Sequence, residues 1–158
     1  MVVLKNFYAS NITKKYLKWL KDKDVTKYTT ISSKLKKKEI KKYIKEHQNN
    51  KFQKIYRIFY LNKHVGNIRI SFFNNTEVTV GIIIGEKKVY NLGIGTKALK
   101  KLINLLKKEK VRSIVAYVAK KNINSVFFFK KNGFHLINKK DYFLKIKRNL
   151  YFIFKLNI

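Results

Sequence analysis

The alternation of apolar and polar positions divides the chain into strands and helices. A β-branched run at 78–84, interrupted by one threonine and one glycine, predicts a strand buried on both faces. Two runs at 55–61 and 65–72 predict a hairpin, because turn residues at 62–64 separate them. Further strands are expected at 2–4, 111–118, 134–137, 142–146 and 150–156.

Apolar residues at helical spacing predict the helices between these strands. The clearest set follows position 95 and consists of Ala98, Leu99, Leu102, Ile103 and Leu106. Near the N-terminus, Ser10 or Thr13 is expected to cap a helix that carries Trp19. Ser33 precedes a second stripe that runs to His47, and a short helix is expected at 122–131.

Gly93 and Gly95 lie where the loop after the buried strand meets the start of a helix. The first turn of a helix has unpaired N–H groups and partial positive charge, and glycine lets the backbone approach an anion closely. This pattern predicts a phosphate-binding loop. An ordinary strand-loop-helix turn is the alternative, because a Gly-x-Gly pair alone is a weak motif.

Three kinds of phosphate loop compete for this segment. Residues 93–98 fit the dinucleotide fingerprint formally, but that fingerprint requires a tight turn and an acid about 20 residues later. Here the loop is long, and 119–122 contain no acid. A P-loop requires Gly-Lys-Ser/Thr, whereas Thr96 follows Gly95. The third kind is the pyrophosphate loop for acyl-CoA.

Four segments resemble signature blocks of the GNAT superfamily of N-acetyltransferases. Residues 90–95, Tyr-Asn-Leu-Gly-Ile-Gly, are similar to its Gln/Arg-x-x-Gly-x-Gly/Ala block, with tyrosine at the usually polar first position. Residues 122–125 and 129–134 are similar to its Asn-x-x-Ser and Lys-x-Gly-Phe blocks. Residues 16–25 resemble the Trp-Leu-x-Asp-x-x-Val motif of the branch that contains ribosomal-protein and amino-sugar acetyltransferases.

The resemblance covers nearly the whole chain and implies a single GNAT-like domain over 1–158. It implies an α/β (α+β) fold, in which helices flank a mixed, mostly antiparallel central sheet with a splayed central strand. Acetyl-CoA is the implied co-substrate, and no metal is implied. The implied cofactor-binding residues are Ile82, Ile83, Ile84, Asn91, Leu92, Gly93, Ile94, Gly95, Thr96, Asn122 and Phe129.

Within this set, the isoleucines would lie along the pantetheine arm and Asn122 would hydrogen-bond the pantetheine region. The loop N–H groups would hold the pyrophosphate, with Lys87, Lys88 and Lys97 as added positive charge. Leu92 departs from the lysine of relatives and removes one phosphate contact.

Acetyl transfer from a thioester to an amine requires a base for the amine and a proton for the departing thiolate. Glu77 lies at the entry of the buried strand, close to where some relatives keep a glutamate that acts through water. A solvated strand-end carboxylate is the alternative. Phe129 stands where many relatives have a tyrosine and cannot donate a proton, so Ser125 is the candidate acid. Alternatively, a water molecule protonates the thiolate, or the thiolate leaves without a proton donor.

The net charge is +30, which favours a nucleic-acid or anionic-membrane partner. However, the abundance of Lys, Asn, Ile, Phe and Tyr is typical of an AT-biased genome, so no nucleic-acid partner is expected. The scarcity of acids still predicts a field that attracts an anionic cofactor and an anionic co-substrate. Cysteine is absent and the three histidines are scattered, which argues against a zinc site. No apolar run is long enough to span a membrane, and a cytoplasmic location is expected.

These observations favour an acetyl-CoA-dependent N-acetyltransferase that acts on the primary amine of a small molecule. An amino sugar is the favoured acceptor, and a nucleotide-linked amino sugar of surface-polysaccharide biosynthesis would use the positive field. One alternative is acetylation of protein N-termini, as in the ribosomal-protein type. Another is a non-catalytic GNAT-fold module that binds nucleic acid or a protein. A homodimer is compatible with the sequence.

Overall fold

The computed structural model describes residues 1–29, 34–137 and 150–158. Its sheet has seven strands in the order β1-β2-β3-β4-β5-β7-β6. β4 and β5 are parallel, and every other neighbouring pair is antiparallel. The strands are β1 Val2–Asn6, β2 Gln53–Tyr60, β3 Lys63–Asn74, β4 Glu77–Ile84, β5 Ser113–Ala119, β6 His135–Leu136 and β7 Tyr151–Asn157. The predicted mixed, mostly antiparallel sheet is confirmed.

The helices are α1 Lys14–Lys21, α2 Lys23–Thr26, α3 Lys37–Asn49, α4 Ile94–Lys108 and α5 Ile123–Lys131. Of the two predicted caps for α1, Thr13 is the one used, because its hydroxyl accepts the N–H of Tyr16 at 3.1 Å. Asp22 caps the separate short helix α2, which the apolar pattern did not predict. The predicted strand at 142–146 and the predicted cap Ser33 lie outside the described residues.

Side chains that alternate along the strands serve two apolar layers, one on each face of the sheet. On one face, Val78 and Val80 of β4 pack with Leu99 and Leu102 of α4. On the other face, Ile55 of β2 joins a cluster formed with α1 and α3. Burial of each such aliphatic side chain contributes about 1.5–3 kcal/mol, which holds the helices against the sheet.

The centre of the sheet splits between β4 and β5. These two strands, both described in full, pair only over 77–79 and 113–115. Beyond that point β4 continues along β3 as far as Ile84, while β5 continues along β7 as far as Ala119. Each strand keeps its outer partner while the inner edges separate, so the predicted splayed central strand is confirmed.

Candidate functional site

A cavity of about 390 Å³ occupies the split between β4 and β5. Its lining includes both separated strands, the start of α5, and residues from α1, α2 and α3. The cavity therefore runs from the open edge of β4 to the face of the sheet that the N-terminal helices cover.

The inner edge of β4 forms one wall of this cavity. Ile82, Ile83 and Ile84 all line it, as expected from the sequence. Their other edge is paired with β3, so the backbone groups that face the split can accept an extended ligand as an added strand. One carbonyl at the end of this wall is already engaged, because the Tyr90 hydroxyl donates to the oxygen of Ile84 at 3.0 Å.

Gly81 on the same strand borders open space. A Cβ added at this position would meet no atom within 4 Å. Packing therefore does not require glycine here, and its effect is to keep the cavity wide.

The predicted phosphate loop begins α4. Gly93 is the N-terminal cap in the left-handed conformation (φ +69°), and Asn91 is left-handed too (φ +62°). The N–H groups of Ile94, Gly95 and Thr96 precede the first hydrogen bond inside the helix, which joins the Lys97 N–H to the Gly93 carbonyl.

The side chains of this loop serve packing and solvent contact. A Cβ on Gly95 would lie 3.0 Å from the Phe128 ring, so Gly95 allows α4 to approach α5. Ile94 is buried in the core, whereas Leu92 is 51% exposed. Thr96 accepts a hydrogen bond from the Asn132 amide at 3.2 Å. The loop thus offers an anion its backbone rather than its side chains, and its cofactor role stays a prediction.

The opposite side of the split holds the second predicted block. Asn122 caps α5, with its Oδ1 accepting the N–H of Ser125 at 3.1 Å, and both residues line the cavity. Phe129, one turn further along, is buried against Phe134 with ring centroids 5.0 Å apart and also lines the cavity. The structure therefore brings Asn122, Ser125 and Phe129 to one cavity with the β4 isoleucines.

Glu77 lies at the closed end of the split and outside the cavity lining. It is only 7% exposed. Its carboxylate accepts a hydrogen bond from the Ser113 hydroxyl at 2.6 Å and pairs with the Lys155 ammonium at 2.7 Å. This arrangement ties β4, β5 and β7 together where their pairing ends. The role of Glu77 as a base stays a prediction, and this geometry favours a structural role.

Six of the residues that line the cavity are tyrosines. They are Tyr16, Tyr28, Tyr43, Tyr90, Tyr117 and Tyr151. Burial raises the pKa of Tyr16 and Tyr90, so both phenols stay protonated at neutral pH, and the Tyr90 proton is the one donated to the Ile84 carbonyl. The Tyr28 hydroxyl donates to the carbonyl of Lys121 at 3.1 Å and so joins the helical side to the start of α5.

Polar side chains from β3 form the floor beneath these tyrosines. Asn67 and Arg69 line the cavity, and Thr79 of β4 lies beside them. Sequence reasoning missed this floor. The signal was available, because polar residues at 67, 69 and 71 alternate with Ile68 and Ile70, which marks a strand with one wet face.

His64 fixes the orientation of Asn67. The His64 Nε2 lies 2.9 Å from Asn67 Oδ1 and 3.0 Å from the Gly66 carbonyl, and since both partners are acceptors, Nε2 carries the proton. Burial lowers the pKa of His64, which keeps the ring neutral at pH 7. With Oδ1 engaged, the NH₂ group of Asn67 is the end left for a ligand in the cavity.

The segment 16–25 anchors the first two helices onto the end of β4. A Cβ on Gly85 would overlap the indole of Trp19, so glycine permits this contact. The Lys15 ammonium lies 2.6 Å from the Glu86 carboxylate and lowers the pKa of that group.

Lys87 joins the same anchor. Its ammonium lies 2.8 Å from Asp22 and 2.9 Å from Asp24, and these bonds raise the pKa of Lys87 and lower that of Asp22. The expected contribution of Lys87 to phosphate binding is therefore corrected: two carboxylates neutralise its charge.

The described residues form neither a cluster of metal ligands nor a membrane-spanning helix. Within 1–29, 34–137 and 150–158, no three His, Cys, Asp or Glu side chains come together as a metal-binding group. No helix in those ranges combines the length and the apolar character needed to cross a membrane. The cytoplasmic location and the homodimer stay predictions.

Comparison with known proteins identifies a family and several solved structures with a similar fold. The family model described as an acetyltransferase (GNAT) domain matches residues 3–135. No curated protein sequence matches the chain.

Among solved structures, the aminoglycoside acetyltransferase AAC(6')-Ib with coenzyme A has a TM-score of 0.83 at 12% identity, covering 99% of this chain and 95% of that one. The same enzyme with coenzyme A and kanamycin gives 0.83 at 11%, with coverage of 99% and 95%. The Campylobacter jejuni N-acetyltransferase PseH with acetyl coenzyme A gives 0.69 at 16%, covering 99% of each chain. These likenesses establish a shared fold.

Proposed function

Because this chain belongs to the GNAT acetyltransferase family, we propose that it transfers the acetyl group of acetyl-CoA to the primary amine of an amino sugar. The specific acceptor that we propose is a nucleotide-linked amino sugar in surface-polysaccharide biosynthesis. One observation carries the proposal: a single cavity joins the open edge of β4 to a wall rich in tyrosine.

The two ends of this cavity suit the two substrates. The unpaired edge at 80–84 matches the amide groups of a pantetheine arm, which can bond it as an added strand. Bound acetyl-CoA would supply an activated acetyl thioester. The AAC(6')-Ib and PseH structures hold coenzyme A or acetyl coenzyme A in the same fold, which supports this use of the split.

Side chains around the junction of the two ends carry the proposed chemistry. The amide of Asn122 binds the pantetheine region, and the neighbouring Ser125 hydroxyl gives a proton to the departing thiolate while it takes one from a water molecule. Asn67, held by His64, orients the acceptor by donating from its NH₂ group. The acceptor amine must arrive neutral, and its proton leaves to water, or through water to Glu77 if that residue acts as the base.

The tyrosine wall supports a sugar acceptor. Aromatic rings pack against the apolar faces of a sugar ring. The hydroxyls of Tyr28 and Tyr90 already donate to backbone carbonyls, so these two residues would contribute their rings. Asp24 is the acidic residue among the described lining residues, and it is already bonded to Lys87 at 2.9 Å. The described lining thus has no free carboxylate for a polycationic aminoglycoside.

Release of free thiol tests the proposal. Purified protein is mixed with acetyl-CoA and one amine at a time: glucosamine, its phosphorylated and nucleotide-linked forms, kanamycin, and a peptide with a free N-terminus. We expect thiol with the amino sugars. Release with the peptide alone would favour protein N-termini, and no release with any amine, despite calorimetric binding of CoA, would favour the non-catalytic module.

A further inference from the structure

We propose that Arg69 forms an anion-binding subsite in the acceptor half of the cavity, so that the natural acceptor carries a phosphate or carboxylate group besides its amine. This inference rests on the proposed function. It identifies Arg69, among the many positively charged residues of the chain, as the one that selects the acceptor.

The position of Arg69 follows from the register of the sheet. Arg69 pairs with Ile55 on β2 and with Gly81 on β4, and residues that pair across strands share one face. Ile55 belongs to the cluster under the N-terminal helices, which places Arg69 on the acceptor face of the sheet. Arg69 itself lines the cavity and is half-buried there.

Space for a ligand lies next to this side chain. Its cross-strand neighbour Gly81 has no side chain, and a Cβ there would meet nothing within 4 Å. On the same face of β3, Asn67 offers an amide that His64 orients. A guanidinium and an amide NH₂ two residues apart on one strand form a pair of donors with an open volume above them.

No described carboxylate neutralises Arg69. The chain has eight acidic residues, of which Asp141 lies outside the described residues. The other seven are each bonded elsewhere: Asp22 and Asp24 to Lys87, Glu39 to the Lys36 N–H, Glu46 to Lys42, Glu77 to Lys155, Glu86 to Lys15 and Glu109 to Lys54. The Arg69 guanidinium therefore has no carboxylate partner among these seven acids, so a ligand that brings its own anion can form a charge-assisted pair with it.

The geometry of a guanidinium suits this ligand. Its five N–H donors can bind two oxygens of a phosphate or carboxylate at once. A neutral amino sugar would leave this group unbonded, and a polycation would be repelled by it. The subsite therefore separates anionic acceptors from neutral and cationic ones.

Calorimetry tests the subsite without relying on turnover. Protein saturated with CoA, which occupies the phosphate loop, is titrated with uridine diphosphate as the probe. We expect binding to the wild type and a loss of about 10- to 100-fold in affinity for Arg69→Gln, as is usual when one charge-assisted contact is removed. Arg112→Gln is the matched control, because Arg112 is exposed and lies outside the cavity. Equal affinity in all three proteins, equal weakening by both substitutions, or no binding to the wild type would overturn the proposal.

Turnover distinguishes the sources of the anion. The ratio of kcat/KM for glucosamine 6-phosphate to that for glucosamine is measured in the wild type and in Arg69→Gln, and a carboxylate-bearing amino sugar is measured in parallel. We expect the ratio to exceed ten for one of the two anions and to fall toward one in the variant. If glucosamine is acetylated as well as both anionic forms, Arg69 has no such role although the transferase proposal stands. If no amine releases thiol, the transferase proposal fails and the calorimetry still decides the subsite.

Discussion

Replacing Glu77 with glutamine distinguishes a structural role of this residue from a catalytic one. The substitution keeps the shape of the side chain and removes the charge. In the structure Glu77 is 7% exposed, and its carboxylate lies 2.6 Å from the Ser113 hydroxyl and 2.7 Å from the Lys155 ammonium. A structural role predicts a loss of stability with activity intact. A catalytic role predicts the reverse.

The size of the stability loss follows from these contacts. Hydrogen bonds to charged groups contribute about 1.5–3 kcal/mol, and glutamine can still accept from Ser113. The Lys155 side chain is 27% exposed, so its ammonium can turn toward water once the carboxylate is gone. We therefore expect Glu77→Gln to cost about 2 kcal/mol, which corresponds to a melting temperature lower by about 4–8 °C.

A partner substitution sharpens the measurement. Lys155→Met takes the ammonium away from a buried carboxylate that still accepts from the Ser113 hydroxyl, and removal of one member of a buried pair costs about 3–5 kcal/mol. Combining the two substitutions should recover part of this loss, since the carboxylate and the ammonium are then both gone. Denaturant unfolding of the four proteins gives the coupling energy between the two side chains.

Activity is measured well below the melting temperature of each variant. We expect kcat of Glu77→Gln to stay within about threefold of the wild type, with an unchanged pH profile. Loss of a general base lowers the rate by about 10²- to 10⁴-fold and removes the acidic limb of the profile. A loss of that size with little change in stability would refute the structural interpretation and establish Glu77 as the base.

Three further predictions follow from the glycines and His64. Gly93→Ala should lower the free energy of unfolding by about 1–2 kcal/mol, because φ is +69° there, and should weaken CoA binding in calorimetry, whereas Gly93→Asn should weaken both less. Equal CoA affinity in the wild type and both variants would contradict the loop assignment. Gly85→Ala should lower stability by about 1–3 kcal/mol through overlap with Trp19, whereas Gly81→Ala should leave unfolding unchanged while lowering turnover; equal melting temperatures for the two variants would contradict this packing. Burial lowers the pKa of His64 below 6.5, so its contribution to stability is complete above pH 6.5 and declines as the pH falls further; the decline should reach up to ~1.4 kcal/mol per pH unit and be absent in His64→Gln, as denaturant unfolding at pH 7.5 and 5.5 would detect.

The sequence by itself determined the identity and order of most elements. The apolar run at 78–84 became β4, and Thr13 capped α1. The predicted burial on both faces of this strand holds only for Val78 and Val80, because 81–84 border the open split. The start of α4 also followed from local signals, because the left-handed conformation at Gly93 depends on that residue and its immediate neighbours. Such features are decided within a few residues, where periodicity and backbone preference act.

The tertiary structure alone decided which distant groups meet. Glu77 looked like a free strand-end carboxylate until β7 placed Lys155 against it, and the acids at 22 and 24 turned out to neutralise Lys87. Asn67 and Arg69 could be identified as cavity-lining residues only from the structure, in which the split between β4 and β5 forms a cavity beside them. Contacts of this kind depend on strand register and helix packing between residues far apart in the chain, and local sequence carries little information about either.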